Sequence, residues 1–319
     1  MKKNELLFCM LLHVSYNFWL DRDAVRYKNL PKEEVDHLIE DLRIDWDKWD
    51  ELISFLPQNG FNSVLLDVGD SVVYDRHPEL AIRGSLSKDH FKKMLDRIRA
   101  AGLIPIPKLN FSACHDAWLK DYSLMIGTPE YDQVCLDCID EIAELFDYPD
   151  YLHLGMDEEI YLHQKGMGIA VIRSEERLWR DSYLFFDRCA HHNMRPWVWS
   201  DYYWHHPESF VENMPRSVLQ SNWFYEACTG KNQDGTYKQK IMQAYVELDR
   251  LGFDQIPTAS TYHHERNISD TMELAKEDLT RDQLKGILSA PWCPCQGDSW
   301  YRIRQEAVYM GAAKEKFFK

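Results

Sequence analysis

The chain has 319 residues, 45% of them hydrophobic and 28% charged, with 14 Gly, 13 Pro and no low-complexity tract. This excludes disorder, collagen and coiled coil and suits one large α/β domain. Its 37 basic against 52 acidic residues give a net charge of −15, which opposes phosphate backbones and anionic membranes, so neither nucleic acid nor a membrane is expected as a partner.

Met1-Lys2-Lys3 followed by the apolar stretch 6–12 resembles the start of a secretory leader. The stretch is short, lacks a small-residue cleavage site and runs into Val14-Ser15-Tyr16, so it reads as a first core strand. Further apolar runs rich in Val, Ile, Leu and aromatics follow at 63–68, 104–109, 151–155, 196–200, 218–223, 256–260 and 286–290, the first spanning 7–16. Helical periodicity lies between them. Residues 45–56 place Trp46, Trp49, Leu52, Ile53 and Leu56 on one face; Ser87 N-caps 88–101, closed by Gly102; further helices are expected at 131–146, 174–191, 239–251 and 269–279. A short helix is expected after Pro207 and a last one from Ser299. Eight strand-helix units define a single-domain (β/α)8 TIM barrel over residues 1–319, with no room for a second domain. An open doubly wound sheet would carry a Gly-rich turn after its first strand, where this chain has Ser15-Tyr16-Asn17-Phe18-Trp19.

The eight cysteines are read as reduced thiols of a cytoplasmic protein. Cys135-Leu136-Asp137-Cys138 falls in a helical pattern without a second pair, and Cys293-Pro294-Cys295 fits disulfide geometry poorly, so both read as packing. The charged stretch 21–45 reads as a solvated helix or loop, or a lid over the site.

Barrel chemistry sits at the C-terminal ends of the strands. There the sequence offers Asp67 and Asp70; Asn110, Ser112, His115 and Trp118; Asp157, Glu158 and Glu159; Trp199 and Asp201; Asn222, Trp223 and Glu226; Tyr262, His263 and His264; and Trp292. Aromatic residues make up 13% of the chain, 11 of them Trp, a surplus over ordinary core packing that these strand-end indoles partly absorb. Carboxylates and indoles together suit a sugar ring, whose C–H face stacks on an aromatic plane while its hydroxyls bond to carboxylates. A negative site also favours an oxocarbenium-like transition state. The densest segment is His153-Leu154-Gly155-Met156-Asp157-Glu158-Glu159. Strand alternation would send Asp157 and Glu158 to opposite faces, so both enter one site only if the strand ends at Gly155. Glu159 reads as a solvated carboxylate.

This segment resembles the His-x-Gly-Gly-Asp-Glu hallmark of the family 20 glycoside hydrolases, the β-N-acetylhexosaminidases, with Met156 in place of the second glycine. Asp67 with His77-Pro78-Glu79-Leu80 is similar to that family's second-strand loop, and Ile104-Pro105 with His115 and Trp118 to its third-strand segment; the similarity runs from about 60 to 160. The resemblance implies a retaining, exo-acting hydrolase in which the substrate's 2-acetamido oxygen is the nucleophile. Glu158 would be the general acid and base, Asp157 would hold the acetamido N–H, and Tyr262 would bond its oxygen. Trp199, Trp223 and Trp292 would wall the sugar, and Tyr16, Asp67, Asn110, His115, His153 and Asp201 would complete the contacts.

No cofactor and no metal is implied; the partner is a carbohydrate with a terminal N-acetylhexosamine. The chain departs from the family at Tyr16, where an arginine is usual, at Lys108 and Asn110, where Glu and Asp are usual, and after Trp292, where Cys293-Pro294 replaces the approach to a glutamate. The departures keep open a non-catalytic or altered-specificity sugar-binding barrel, and the 13 histidines keep open a metal-dependent barrel hydrolase.

Overall fold

Eight parallel strands, each carrying a side chain to the barrel interior at every second residue, make up the core of the computed structural model, which describes residues 5–17, 41–164, 170–227 and 237–319. The strands are β1 (Leu7–His13), β2 (Ser63–Asp67), β3 (Ile104–Lys108), β4 (Tyr151–His153), β5 (Arg195–Trp199), β6 (Leu219–Ser221), β7 (Thr258–Ala259) and β8 (Gly286–Ser289), in the spatial order β6-β5-β4-β3-β2-β1-β8-β7. The parallel bridges Gln220 to Gln255 and Trp223 to Thr258 join β6 to β7 and close the ring. This is the expected TIM barrel. The lid expected within 21–45 lies mostly outside the described residues.

The surrounding helices are α1 (Trp46–Gln58), α2 (Lys88–Ala100), α3 (Pro129–Leu145), α4 (Tyr161–Gln164), α5 (Glu175–His191), α6 (Tyr202–His205), α7 (Pro207–Asn213), α8 (Tyr237–Arg250), α9 (Asn267–Asp278) and α10 (Ser299–Phe317). Their boundaries follow local chemistry. Ser87 and Ser174 accept from the backbone N–H of His90 and Arg177 at the starts of α2 and α5, and Thr128 does the same for α3 ahead of Pro129. Gly102 closes the α2 turn at φ +85°. On α1, Trp49, Leu52, Ile53 and Leu56 are buried, whereas Trp46 lies at the edge with 40% of its surface exposed.

Register explains the interior. His13, Asp67, Lys108 and His153 stand opposite one another across β1 to β4, as do Cys9, Ser63 and Ile104 lower down. The lower layers are apolar, built from Leu7, Cys9, Leu11, Leu65, Ile106, Trp197, Leu219, Ile256 and Leu288. A larger apolar cluster fills the space between sheet and helices. Cys135 and Cys138 are buried there on α3, and the described cysteines are free thiols. Strand β1 is shorter than its apolar run: after His13 the chain turns off, and Val14 and Ser15 donate their N–H groups to the carbonyl of Asp67. Among the described residues no helix is long and apolar enough to cross a membrane.

Candidate active site

The segment leaving β4 supplies the carboxylates, and its backbone decides where they point. Gly155, Met156 and Glu158 have φ of +76°, +68° and +57°, so the extended alternation stops and Asp157 and Glu158 turn to the same side. Only glycine fits at 155. A Cβ there would sit 2.1 Å from Asn110 Oδ1 and 2.4 Å from its Cγ.

That carboxamide is itself fixed. Asn110 Oδ1 accepts from the N–H of Ser112 (2.9 Å), which leaves Nδ2 to donate to Asp157 Oδ1 (3.1 Å), while Ser112 Oγ donates to the Asp157 carbonyl. His115 Nε2 lies 3.1 Å from Glu158 Oε2 and 3.5 Å from Asp157 Oδ2, bridging the two side chains. From the end of β5, Asp201 Oδ2 accepts the N–H of Glu158 at 2.8 Å.

Electrostatics follow from this crowding. Burial opposes a charge on His115, but its neighbours Cys114, Asp157 and Glu158 outweigh it and hold its pKa well above 6.5. Burial raises the pKa of Asp157 despite His115. Asp201 is pushed up to about 7, first by burial and then by Asp157.

Glu159, expected to be solvated, is an anchor instead. Its side chain is buried, pairs with Arg173 Nη1 and accepts from the N–H of Ala113 (2.8 Å). Arg173 also donates to Asp181 Oδ2 (2.9 Å), the Phe111 carbonyl (3.1 Å) and Tyr131 Oη (3.3 Å), so one guanidinium ties the loops after β3 and β4 to α3 and α5.

Beneath the carboxylates lies a buried charged layer. Asp67, expected to face a ligand, has no exposed surface; its two oxygens lie 2.5 Å from His13 Nδ1 and 2.5 Å from Lys108 Nζ. This corrects its expected role: Lys108 and His13 engage the carboxylate inside the barrel. His153 is equally buried. Its Nδ1 accepts from the N–H of Gly155 (3.0 Å), which assigns the proton to Nε2, and burial followed by the charge of Lys108 drives its pKa well below 6.5. His153 is thus a neutral support beneath the β4 turn.

Aromatic rings form the opposite wall. Trp199 packs 4.5 Å from His153 and 5.8 Å from Trp292, measured between ring centroids. Trp223 stacks on Tyr225 (5.2 Å, 18° between planes), and Tyr225 stands 6.0 Å from Trp292. Asn267 on α9 holds this loop by donating to the carbonyls of Phe224 (2.7 Å) and Glu226 (2.8 Å). Tyr16 donates its hydroxyl to the Trp292 carbonyl at 3.3 Å, and Arg43 lies over its ring face at 4.7 Å.

Tyr225, not singled out by the sequence, joins this wall beside Trp223 and Trp292, while the tyrosine expected to bond an acetamido oxygen is Tyr262. The latter is 52% exposed, with its ring against His263 and Arg302. The signal for Tyr225 was its i+2 spacing from Trp223, which puts both rings on one side of an extended segment. Trp118 belongs to the core: it is fully buried, and its indole N–H donates to the Asn110 carbonyl at 2.8 Å.

The parallel eight-stranded barrel carries paired carboxylates and an aromatic wall at its C-terminal strand ends, where barrel enzymes keep their chemistry. Comparison with solved structures agrees. The chain is similar to the family 20 exo-β-N-acetylglucosaminidase of Vibrio harveyi, crystallised with N-acetylglucosamine (13% identity, TM-score 0.63, covering 96% of this chain and 54% of that one). It is similar to the family 20 β-N-acetylhexosaminidase of Streptomyces coelicolor A3(2) (13%, 0.62, 95% and 63%) and to the β-N-acetylhexosaminidase of Bacteroides fragilis NCTC 9343 (12%, 0.62, 96% and 66%). The fold thus resembles the catalytic barrel of family 20, and this chain spans 54% to 66% of the length of these relatives. No protein-family model and no curated protein matches the sequence.

Proposed function

We propose that this chain is a retaining, exo-acting β-N-acetylhexosaminidase-like glycoside hydrolase that works through its substrate's own acetamido group, with the barrel as a single catalytic domain. The observation that carries the reading is the turn after β4, which sets Asp157 and Glu158 side by side on His115 and opposite the rings of Trp199, Trp223, Tyr225 and Trp292.

In this reading the terminal N-acetylhexosamine lies against the aromatic wall. The protonated Glu158 gives its proton to the glycosidic oxygen as the acetamido oxygen attacks the anomeric carbon and the C–O bond to the leaving group breaks. Asp157 accepts a hydrogen bond from the acetamido N–H and offsets the positive charge of the cyclic oxazolinium ion; Tyr225 donates to the acetamido oxygen. Glu158 then takes a proton from a water whose oxygen attacks the same carbon as the bond to the acetamido oxygen breaks and the acetamide re-forms, so configuration is retained. His115 and Asn110 orient the pair, and no cofactor takes part. A reducing, cytoplasmic location fits the free, buried cysteines.

The test is turnover of 4-nitrophenyl N-acetyl-β-hexosaminides by wild type, Glu158→Gln and Asp157→Asn. Each substitution is expected to lower kcat by about 100-fold or more. A wild type that binds N-acetylated sugars and cleaves none would instead mark a sugar-binding barrel.

A further inference from the structure

We propose that Asp201 is a positioning residue: its carboxylate, fixed at the end of β5, holds the backbone N–H of Glu158 and so keeps Glu158 in the left-handed turn that delivers its side chain to His115. This goes beyond the ligand contact that strand-end position suggests for Asp201, and it rests on the reading of Glu158 as the acid and base only where activity is the readout.

Left-handed backbone is disfavoured at a residue with a side chain and persists only where its surroundings enforce it. Glu158 and Met156 both adopt it within one turn, with Gly155 beside them. What enforces it at Glu158 can be read from the backbone. Its carbonyl accepts from Ile160 N–H at 2.7 Å and lies 3.4 Å from Cys114 Sγ, contacts close in sequence or with a weak thiol donor. Its N–H reaches a strong acceptor on a neighbouring strand end, Asp201 Oδ2 at 2.8 Å.

Asp201 is a suitable anchor. It is buried, and its own carbonyl accepts from Trp204 N–H (2.9 Å), while Trp204 Nε1 donates to Asn222 Oδ1 (2.7 Å) just after the neighbouring strand β6. A charge-assisted bond from so fixed a group sets direction as well as energy. The other oxygen, Oδ1, is buried with no hydrogen-bond partner among the described residues. Facing the carboxyl are Asp157 and Glu158, with His115 bonded to both. Ionised Asp201 is therefore a third negative charge at the site, and it favours the protonated forms of its neighbours.

The experiment compares wild type, Asp201→Ala and Asp201→Asn by crystal structure, by kinetics on 4-nitrophenyl N-acetyl-β-glucosaminide across pH, and by thermal unfolding as a check on folding. In Asp201→Ala, Glu158 is expected to leave the left-handed region and lose its contact with His115, with kcat down by about 100-fold and KM changed by less than about threefold. In Asp201→Asn the amide oxygen still accepts the N–H, so the turn is expected to persist. Its loss of charge is expected to move the alkaline limb of the kcat profile to lower pH. An Asp201→Ala crystal structure with Glu158 unmoved overturns the proposal. If the wild type is inert on every hexosaminide, the proposed function falls, whereas the Glu158 backbone in the Asp201→Ala crystal still decides the role of Asp201.

Discussion

Replacing Gly155 by alanine tests whether the β4 turn orients Asp157 through close backbone approach. Two penalties are separable. At φ +76° a Cβ costs on the order of 1–2 kcal/mol in backbone strain. The same Cβ would overlap the Asn110 carboxamide, with Oδ1 at 2.1 Å, Cγ at 2.4 Å and Nδ2 at 2.9 Å, so that side chain must move. Moving it breaks the bond to Asp157 Oδ1 and the one from Ser112 N–H, both buried. A hydrogen bond to a charged group contributes about 2 kcal/mol and a neutral one about 1 kcal/mol, so the full cost is about 4–5 kcal/mol. In a domain of this size that lowers Tm by on the order of 10 °C. Gly102→Ala is the matched control: φ is +85°, but nothing lies within 4 Å of the new Cβ, so strain alone applies. Urea and thermal unfolding of the two variants side by side give the contact contribution as their difference, expected at about 3 kcal/mol. If Gly155→Ala is no less stable than Gly102→Ala, the close approach of β4 to Asn110 has no energetic consequence and the reasoning is wrong.

Two further outcomes follow from buried charges. Arg173→Met leaves Glu159 buried without its guanidinium, while Asp181 keeps Arg177 and Arg180, and is expected to cost about 3–5 kcal/mol in urea unfolding; a loss under about 1 kcal/mol would mean that the hub does not hold the two loops. Asp70 is pushed up from 3.8 to about 6 by burial, against the bonds from Asn17 and Ser15, so the folded protein holds its proton more tightly than the unfolded chain. The stability this contributes is full below about pH 4 and lost as pH rises through about 6, on the order of 3 kcal/mol in all. Relative to Asp70→Asn, wild type is therefore expected to weaken between pH 4 and pH 7, and a difference that stays constant with pH refutes the assignment.

The amino-acid sequence by itself determined the barrel. Alternating apolar runs, helical stripes and caps such as Ser87 and Ser174 act within a few residues of one another, so they are visible in a linear reading. The segment from His153 to Glu158 was visible for the same reason, since a glycine after a strand and a run of carboxylates are local features. What the sequence left open depends on neighbours far apart in the chain. Asp67 was read as a ligand contact because its position is a strand end, but strand register sets it beside His13 and Lys108, 54 and 41 residues away, where water is excluded. Glu159 looks solvated in a linear sequence, but Arg173, 14 residues on, folds back to pair with its buried carboxylate. Tyr225 joins the aromatic wall on a loop whose carbonyls at Phe224 and Glu226 are held by Asn267, more than 40 residues further along the chain. Periodicity fixes which face of an element is apolar, whereas burial of a charge, the partner that compensates it and the direction of a side chain after a turn arise only when distant strands are set in register.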